Sequence, residues 1–294
     1  MEDKSSIIYI IETLRPKQWV KNLLIFAGLI FSQNLFNPEK FLYSLLAFLL
    51  FCLVSGIVYT INDIIYLPYD KTNPLKSKRP IASGRLKVSY ARLAVAILLP
   101  LSLIGSYLLH RRFFMVVAGY ILLQILYTLY IKDIPILDVL SISFGSLLRV
   151  VAGTVVIDVS ITSWLIICKI LLALLLALSK RRYELVNLED AGVKRKVLKD
   201  YDLQLLDQMI TITTSSVLIA YTLYTMSQRT IERFDTSDLL FTVPFVLYGL
   251  FRYLYLIYRR GFGESPEEAF IIDKPLMIDI ILWIITVFVI IYML

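Results

Sequence analysis

Long apolar stretches, each close to twenty residues, recur from one end of this chain to the other. A helix needs about twenty apolar residues to cross the ~30 Å hydrocarbon core of a bilayer. In hydrocarbon, only helices and closed barrels satisfy their backbone polar groups, and the stretches lack the alternation of barrel strands. The sequence therefore predicts an all-α membrane protein. We place about nine transmembrane helices at 20–36, 41–63, 90–110, 113–131, 134–158, 162–179, 208–226, 239–258 and 276–294. The first span is short, and a position partly in the interface stays open.

Composition supports a membrane location. Hydrophobic residues make up 58% of the chain and its mean hydropathy is +0.74, whereas soluble domains are roughly 45–50% apolar. Arg15 and Lys17 interrupt the first twenty residues, so no cleavable signal peptide is expected. Cys52 and Cys168 lie inside predicted spans and indicate neither a disulfide framework nor a metal site. We interpret residues 1–294 as a single transmembrane domain.

The net charge of +7 is distributed unevenly. With a cytoplasmic N-terminus, and with Lys21 and Arg252 of the first and eighth spans counted on that side, 22 of the 30 Lys and Arg residues are cytoplasmic, five lie on the outer side and three lie within other spans. By the positive-inside rule, this predicts a multi-pass protein of the cell membrane with its N-terminus cytoplasmic and its C-terminus outside. Topology and contacts with anionic headgroups explain most of these cations. No nucleic-acid partner is predicted.

The first long cytoplasmic segment, from Tyr59 to Gly84, carries acids at its beginning. Asn62 and Asp63 close the second predicted span, and Asp70 follows seven residues later. Acids near hydrocarbon depth are costly and therefore suggest a function. If the helix continues, both carboxylates share one face about 10 Å apart along its axis and can bracket a Mg²⁺ that bridges a polyphosphate. The alternative is that Asp63 only caps a helix end.

Cations follow these acids at Lys76, Lys78, Arg79, Arg85 and Lys87. Acids that hold Mg²⁺ beside cations that hold free phosphate oxygens would form a cradle for a pyrophosphate. The alternative is that these cations only set the topology.

This NDxxxxxxD pattern, followed by NPxKxxRPIASG, resembles the first aspartate-rich motif of the UbiA superfamily of membrane prenyltransferases. Two positions depart from it: Tyr66 stands in place of the middle acid, and Pro68 lies between the two aspartates. Tyr66 cannot replace a carboxylate on Mg²⁺, although its phenol can donate a hydrogen bond to a phosphate. The matching residues are Asn62, Asp63, Asp70, Pro74, Lys76, Arg79, Pro80 and Gly84.

The second long cytoplasmic segment reads ALSKRRYELVNLEDAG. An aromatic prenyltransferase of this superfamily usually has a second aspartate-rich loop here. Instead, Lys180, Arg181 and Arg182 come first, and consecutive cations suit direct recognition of a phosphate. The acids Glu184, Glu189 and Asp190 leave a degenerate metal site open, and topology alone also accounts for the positive charge.

Further stretches are similar to one branch of the superfamily, the decaprenyl-phosphate phosphoribosyltransferases. The opening LRPKQWVKNLLIF resembles the RPxQWxKN opening of that branch. The other similar features are Lys132, Asp138, Arg149, the KRxxEL pattern at 180–185 and GESPEE at 263–268.

The resemblance implies a UbiA-like bundle with a polar cavity open to the cytoplasm, and a pentosyltransferase activity. The expected reaction moves 5-phosphoribose from soluble phosphoribosyl diphosphate to a membrane polyprenyl phosphate. Mg²⁺ would be held by Asp63 and Asp70, which are the predicted catalytic and metal-binding residues. Whether the 180–184 cations hold the ribose 5-phosphate or the acceptor phosphate stays open, as do acceptor length and oligomeric state. The predicted substrate-binding residues are Lys17, Lys21, Asn62, Tyr66, Lys76, Arg79, Lys132, Arg149, Lys180, Arg181 and Glu184.

Two alternative functions remain. A prenyl group could move from a prenyl diphosphate to an aromatic or other acceptor, although the weak second acidic segment disfavours this reaction. A lipid-phosphate carrier without chemistry is the other, and it would favour inverted repeats with broken helices at the bilayer midplane. No convincing internal repeat is visible, and the charged motifs cluster at one face.

Overall fold

The computed structural model describes residues 6–73, 76–160, 162–187, 196–262, 269–270 and 272–293. Within these ranges the regular secondary structure is helical, and eight helices are long and apolar enough to cross a membrane. The predicted all-α membrane fold is therefore confirmed. Predictions at Pro74, Glu189, Asp190 and 263–268 lie outside the described residues.

The chain divides into two compact units. The single domain predicted over 1–294 stays a prediction, and each unit is described by itself. The first unit comprises Met1–Tyr130 and Leu148–Ser160, and the second comprises Ile131–Leu147 and Ile161–Leu294.

The first unit is built around one long helix. Its core contains Phe51, Val54, Phe113 and Val117. Its helices are α1 (Ser6–Thr13), a 3₁₀ helix (Pro16–Phe26), α2 (Ala27–Ile30), α3 (Pro38–Ile65), α4 (Leu67–Thr72), α5 (Val88–Leu109), α6 (Arg111–Leu129) and the last part of α7 (Leu137–Val155).

The first predicted span, 20–36, is not one long α-helix. The chain turns at Arg15, whose φ is 54°, and then forms the 3₁₀ helix and the short α2. A 3₁₀ helix rises about 2.0 Å per residue, so residues 16–30 can cover about 28 Å. That length approaches the thickness of the hydrocarbon core.

This segment lies antiparallel to α3 along its length. Asn22 donates to Ser55 Oγ at 3.1 Å, the rings of Phe26 and Phe48 lie 5.6 Å apart, and Lys40 donates to Asn34. Among the described residues eight helices are candidate spans, and this segment is not one of them, so the first predicted span stays a prediction.

In the second unit, α8 packs lengthwise against α9. Leu175, Leu178, Leu206 and Ile210 form the centre of its core. Besides the first part of α7, its elements are α8 (Ser163–Asn187), a 3₁₀ helix (Lys196–Asp200), α9 (Leu203–Met226), α10 (Gln228–Phe234), a 3₁₀ helix (Asp238–Thr242), α11 (Val243–Arg260) and α12 (Lys274–Tyr292).

The KRRYE stretch is helical and not part of a loop. The span predicted at 162–179 continues as α8 to Asn187. Residues 180–187 are mostly good helix formers, and no Gly or Pro occurs before Gly192. The helix therefore sends neighbouring cations of this stretch in different directions.

Close packing at Gly153 gives a test of the first unit. A Cβ built at Gly153 would lie 1.8 Å from the carbonyl oxygen of Ile25. We expect Gly153→Ala to lower the free energy of unfolding by roughly 1–3 kcal/mol or more, because the backbone must move apart. Gly119 in α6 is the matched control, since a Cβ there meets no atom within 4 Å.

The apparent Tm of both variants in detergent, followed by intrinsic fluorescence, measures this effect. Gly119→Ala should leave Tm unchanged or raise it slightly, since alanine favours a helix. An unchanged Tm for Gly153→Ala would contradict the close packing of residues 16–30.

Candidate active site

The predicted site residues fall in both units, and each group is described within its own unit. The first unit holds Lys17, Lys21, Asn62, Asp63, Tyr66, Asp70, Lys76, Arg79 and Arg149, and the second holds Lys132, Lys180, Arg181 and Glu184.

The two aspartates of the first unit lie on different helices. The long helix α3 ends at Ile65, and Pro68 lies in the first turn of α4, where its missing N–H costs nothing. A single continuous helix through Asp70 does not form, so the predicted offset of about 10 Å along one axis is wrong. The break instead turns Asp63 and Asp70 toward a common point.

That common point is the guanidinium of Arg79. Its Nη1 lies 2.9 Å from Asp63 Oδ1 and 2.6 Å from Asp70 Oδ2. Arg15 Nη2 lies 2.5 Å from Asp63 Oδ1, and Lys76 Nζ lies 3.9 Å from Asp70 Oδ1. These five residues are called the acid–cation cluster below. Both aspartates are buried, and the cations compensate charges that would otherwise be very costly.

Arg15 is a site residue that the sequence predictions omitted. It follows α1 directly, and its guanidinium lies 4.8 Å from the centre of the Tyr59 ring while it contacts Asp63. Burial lowers the pKa of Arg15, and the Asp63 carboxylate opposes that shift. The sequence contained an indication of this role, because Arg15 begins the RPxQW motif of the chain.

The acid–cation cluster fits a hard divalent cation. One nitrogen of Arg79 already contacts an oxygen of each aspartate, so both carboxylates converge on a single positive charge. Mg²⁺ commonly takes one or two carboxylates and completes its shell with water and substrate phosphates. Among the described residues no group of three or more His, Cys, Asp or Glu could hold a metal. Asp63 and Asp70, the two acids of the cluster, would be the protein ligands.

The other predicted residues of this region are placed differently. Asn62 precedes Asp63 and is half-buried, with no side-chain hydrogen bond in the described part of the chain. The Tyr66 hydroxyl donates to the carbonyl of Thr128, so this contact uses the proton that we assigned to a phosphate. Lys17 is exposed and Lys21 is half-buried on the 3₁₀ helix.

Arg149 does not join the acid–cation cluster. It is buried, its Nε donates to Asn22 Oδ1 at 2.8 Å, and its Nη2 donates to the Tyr120 hydroxyl at 3.0 Å. Asn22 also contacts Ser55, which lies eight residues before Asp63 and thus about 12 Å along α3. Arg149 therefore holds the N-terminal crossing segment inside the first unit.

In the second unit, Arg181 is a buried ion-pair partner. Its Nε lies 2.7 Å from Asp138 Oδ2 and its Nη1 lies 2.7 Å from Glu184 Oε2. The Arg181 and Asp138 side chains are 1% and 0% exposed. This placement differs from the predicted role in phosphate binding, because α8 turns Arg181 into the core.

The neighbouring cations point elsewhere. Arg182 Nε lies 2.6 Å from Asp207 Oδ1, and its guanidinium lies 4.4 Å from the centre of the Tyr258 ring. Lys180 and Lys132 are both half-buried. The predicted role of Lys180 in phosphate binding stays a prediction.

Comparisons with known proteins agree with this architecture. The model of the UbiA prenyltransferase family matches residues 23–272. The decaprenyl-phosphate phosphoribosyltransferase of Mycolicibacterium smegmatis is 30% identical over 298 residues, which cover 97% of this chain and 92% of that relative. The enzyme of the same name from Corynebacterium glutamicum is also 30% identical, over 96% of this chain and 86% of the relative.

Solved structures share the fold. The structure of a UbiA homolog from Archaeoglobus fulgidus bound to GPP and Mg²⁺ superposes with a TM-score of 0.71. It is 19% identical and covers 96% of this chain and 99% of that chain. The similarity extends over nearly the full length of both proteins.

Removal of Arg181 should mainly affect stability. Arg181→Ala leaves Asp138 and Glu184 without their shared cation, and such losses cost about 3–5 kcal/mol. This effect differs from the predicted role of Arg181 in phosphate binding. Arg112→Ala is the matched control, because its side chain is 75% exposed and lies 3.5 Å from an exposed acid. Exposed pairs contribute about 0–1 kcal/mol.

Thermal unfolding in detergent distinguishes these cases. Arg181→Ala should lower the apparent Tm strongly, whereas Arg112→Ala should leave it nearly unchanged. Similar Tm values for both variants would contradict the buried ion pair.

Proposed function

Because the chain belongs to the UbiA prenyltransferase family, we propose that it transfers 5-phosphoribose from phosphoribosyl diphosphate to a polyprenyl phosphate. Diphosphate is released, and the reaction depends on Mg²⁺. The relatives named decaprenyl-phosphate phosphoribosyltransferase support this choice, because they match nearly the whole chain at 30% identity.

The observation that carries the proposal is the convergence of Asp63 and Asp70 on one cation. The acid–cation cluster contains three cations and two carboxylates, so its own charges nearly cancel. Mg²⁺ held there would add positive charge, and it would stabilise a diphosphate as it leaves. Arg15 and Arg79 present guanidinium groups, which bind phosphate oxygens through two parallel hydrogen bonds.

The chemistry needs no general base. A phosphate oxygen of the acceptor attacks C1 of the ribose, the bond from C1 to the diphosphate oxygen breaks, and its electron pair leaves with diphosphate. The acceptor oxygen is already anionic near neutral pH, so no proton must be removed. His110, the only histidine of the sequence, contacts Asp158 after the far end of α5. Positioning and charge therefore provide the rate enhancement.

The cellular location follows from the same proposal. The donor is soluble and the acceptor is a membrane lipid, so the two can meet where a membrane protein faces the cytoplasm. The positive-inside rule supports a cytoplasmic N-terminus, a C-terminus outside and a site that faces the cytoplasm.

Purified protein with Mg²⁺, a polyprenyl phosphate and radiolabelled phosphoribosyl diphosphate tests the activity directly. Label should move into the extracted lipid. If it does not, and a labelled prenyl diphosphate alkylates an aromatic acceptor, the protein is instead a prenyltransferase. If neither reaction occurs with folded protein, a lipid-phosphate carrier becomes the better hypothesis.

Asp63→Asn and Asp70→Asn should each lower kcat/KM by about 10²–10³, a loss typical for removal of an electrostatic catalytic group. Each change removes a metal-binding carboxylate while it retains the shape of the side chain. Asp158→Asn is the control, since Asp158 is an exposed acid of the first unit that contacts His110 and Arg112. Activity retained in either cluster variant would exclude the metal assignment.

Arg15→Ala should raise the KM for phosphoribosyl diphosphate roughly tenfold or more, because charge-assisted hydrogen bonds to the donor are lost. Arg112→Ala is the matched control: Arg112 is also in the first unit, but it contacts the exposed acid Asp158. Initial rates over a range of donor concentrations measure the effect. Equal KM values for the two variants would show that Arg15 is not a donor ligand.

A further inference from the structure

A strained turn precedes α7 in the second unit. The amide of Leu137 donates to the carbonyl of Pro135 at 2.8 Å, and the residue between them, Ile136, has a φ of 69°. This hydrogen bond and positive φ define a γ-turn of the rare, strained form. Positive φ is unusual for any residue with a Cβ and is a true outlier for a β-branched one. Strain of this kind persists only where surrounding contacts impose it.

Tyr201 supplies such a contact. Its hydroxyl accepts a hydrogen bond from the Ile136 amide at 2.6 Å and donates one to Asp138 Oδ1 at 2.9 Å. Tyr201 is 5% exposed and follows the 3₁₀ helix Lys196–Asp200, which packs on the short 3₁₀ helix Ile131–Asp133. Burial raises the pKa of Tyr201 to about 12, so the phenol retains its proton at physiological pH. One phenol thus fixes both sides of the γ-turn.

Asp138 connects the turn to α8. Its Oδ1 accepts from Tyr201 and its Oδ2 accepts from Arg181, which also pairs with Glu184. Lys180 immediately precedes Arg181, and Lys132 lies four residues before Ile136. The segments that carry these two lysines are therefore tied to one buried network.

We propose that Tyr201 is a positioning residue that holds the γ-turn at Ile136 in its strained conformation. It thereby fixes Lys132, which lies four residues earlier, for binding of a phosphorylated substrate. This inference rests on the proposed function for the identity of that substrate. Tyr201 itself does not touch the reacting atoms. It acts through Lys132, whose placement depends on the turn.

A double-mutant cycle tests the inference in the full-length protein. Tyr201→Phe removes the acceptor of the Ile136 amide and the donor to Asp138 while it preserves the ring. We expect the KM of phosphoribosyl diphosphate or of polyprenyl phosphate to rise about five- to tenfold, in line with the loss of one or two hydrogen bonds, with a smaller change in kcat. Lys132→Ala should raise the KM of the same substrate. The double variant should be no worse than Lys132→Ala alone, because both changes act on one contact.

Tyr221→Phe is the matched control. Tyr221 is also in the second unit and its hydroxyl contacts Thr242 and Trp283, away from the turn. Its substitution should leave both KM values unchanged in either background. A purely structural role for Tyr201 predicts a lower Tm with unchanged KM values, or effects that add to those of Lys132→Ala. Either result overturns the inference.

Hydrogen exchange provides a readout that does not depend on turnover. The Ile136 amide should exchange faster in Tyr201→Phe than in the wild-type protein or in Tyr221→Phe. Unchanged exchange at Ile136 overturns the inference even when wild-type activity is normal. A wild-type protein that is folded but transfers no phosphoribose contradicts the proposed function instead, and the exchange result then still decides whether Tyr201 holds the turn.

Discussion

Compensation of buried carboxylates by arginine is the interaction on which both units depend. A charge placed in a membrane protein away from water is tolerated only when an opposite charge and hydrogen bonds satisfy it. In the first unit Asp63 forms ion pairs with Arg15 and Arg79, and in the second unit Asp138 forms an ion pair with Arg181. Asp63 lies two residues before the end of α3, and Arg181 lies six residues before the end of α8.

The first unit shows how such pairs determine a backbone. Residues 16–30 form a 3₁₀ helix and a short α-helix where a regular membrane helix was expected. Arg15 reaches Asp63 at one end of this segment, and Asn22 binds Arg149 nearer its middle. Gly153 lets the backbone at Ile25 come close. Protein contacts with α3 and α7 therefore hold this segment in a conformation that differs from a regular α-helix.

Much of this arrangement could be predicted from the sequence, and the reasons for the exceptions are physical. Long apolar runs determine where the eight long helices lie, since each must match the bilayer thickness. The motif around Asp63 and Asp70 correctly marked the acids that converge. It could not give their geometry, because α3 ends at Ile65 and α4 begins at Leu67, and this break changes the direction of the two carboxylates. A run such as KRR shows that three cations are adjacent, but it does not show in which direction each side chain points. The burial of Arg181 therefore became clear only from its position on α8.

The two acid–arginine groups differ in how completely the hydrogen-bonding atoms of their side chains are paired. This difference distinguishes a structural network from a group that suits substrate binding. In the second unit, Asp138 uses one oxygen for Arg181 and the other for Tyr201, while Arg181 also holds Glu184. Such a closed network resists rearrangement and suits a role in positioning. In the first unit, Arg15 and Arg79 meet on the same oxygen of Asp63, and Lys76 lies at the outer limit of an ion pair with Asp70. Cations that share one acceptor oxygen lose less interaction energy when they move to the oxygens of a polyanion. Under the proposed function, the acid–cation cluster is thus the group that would exchange internal partners for a diphosphate.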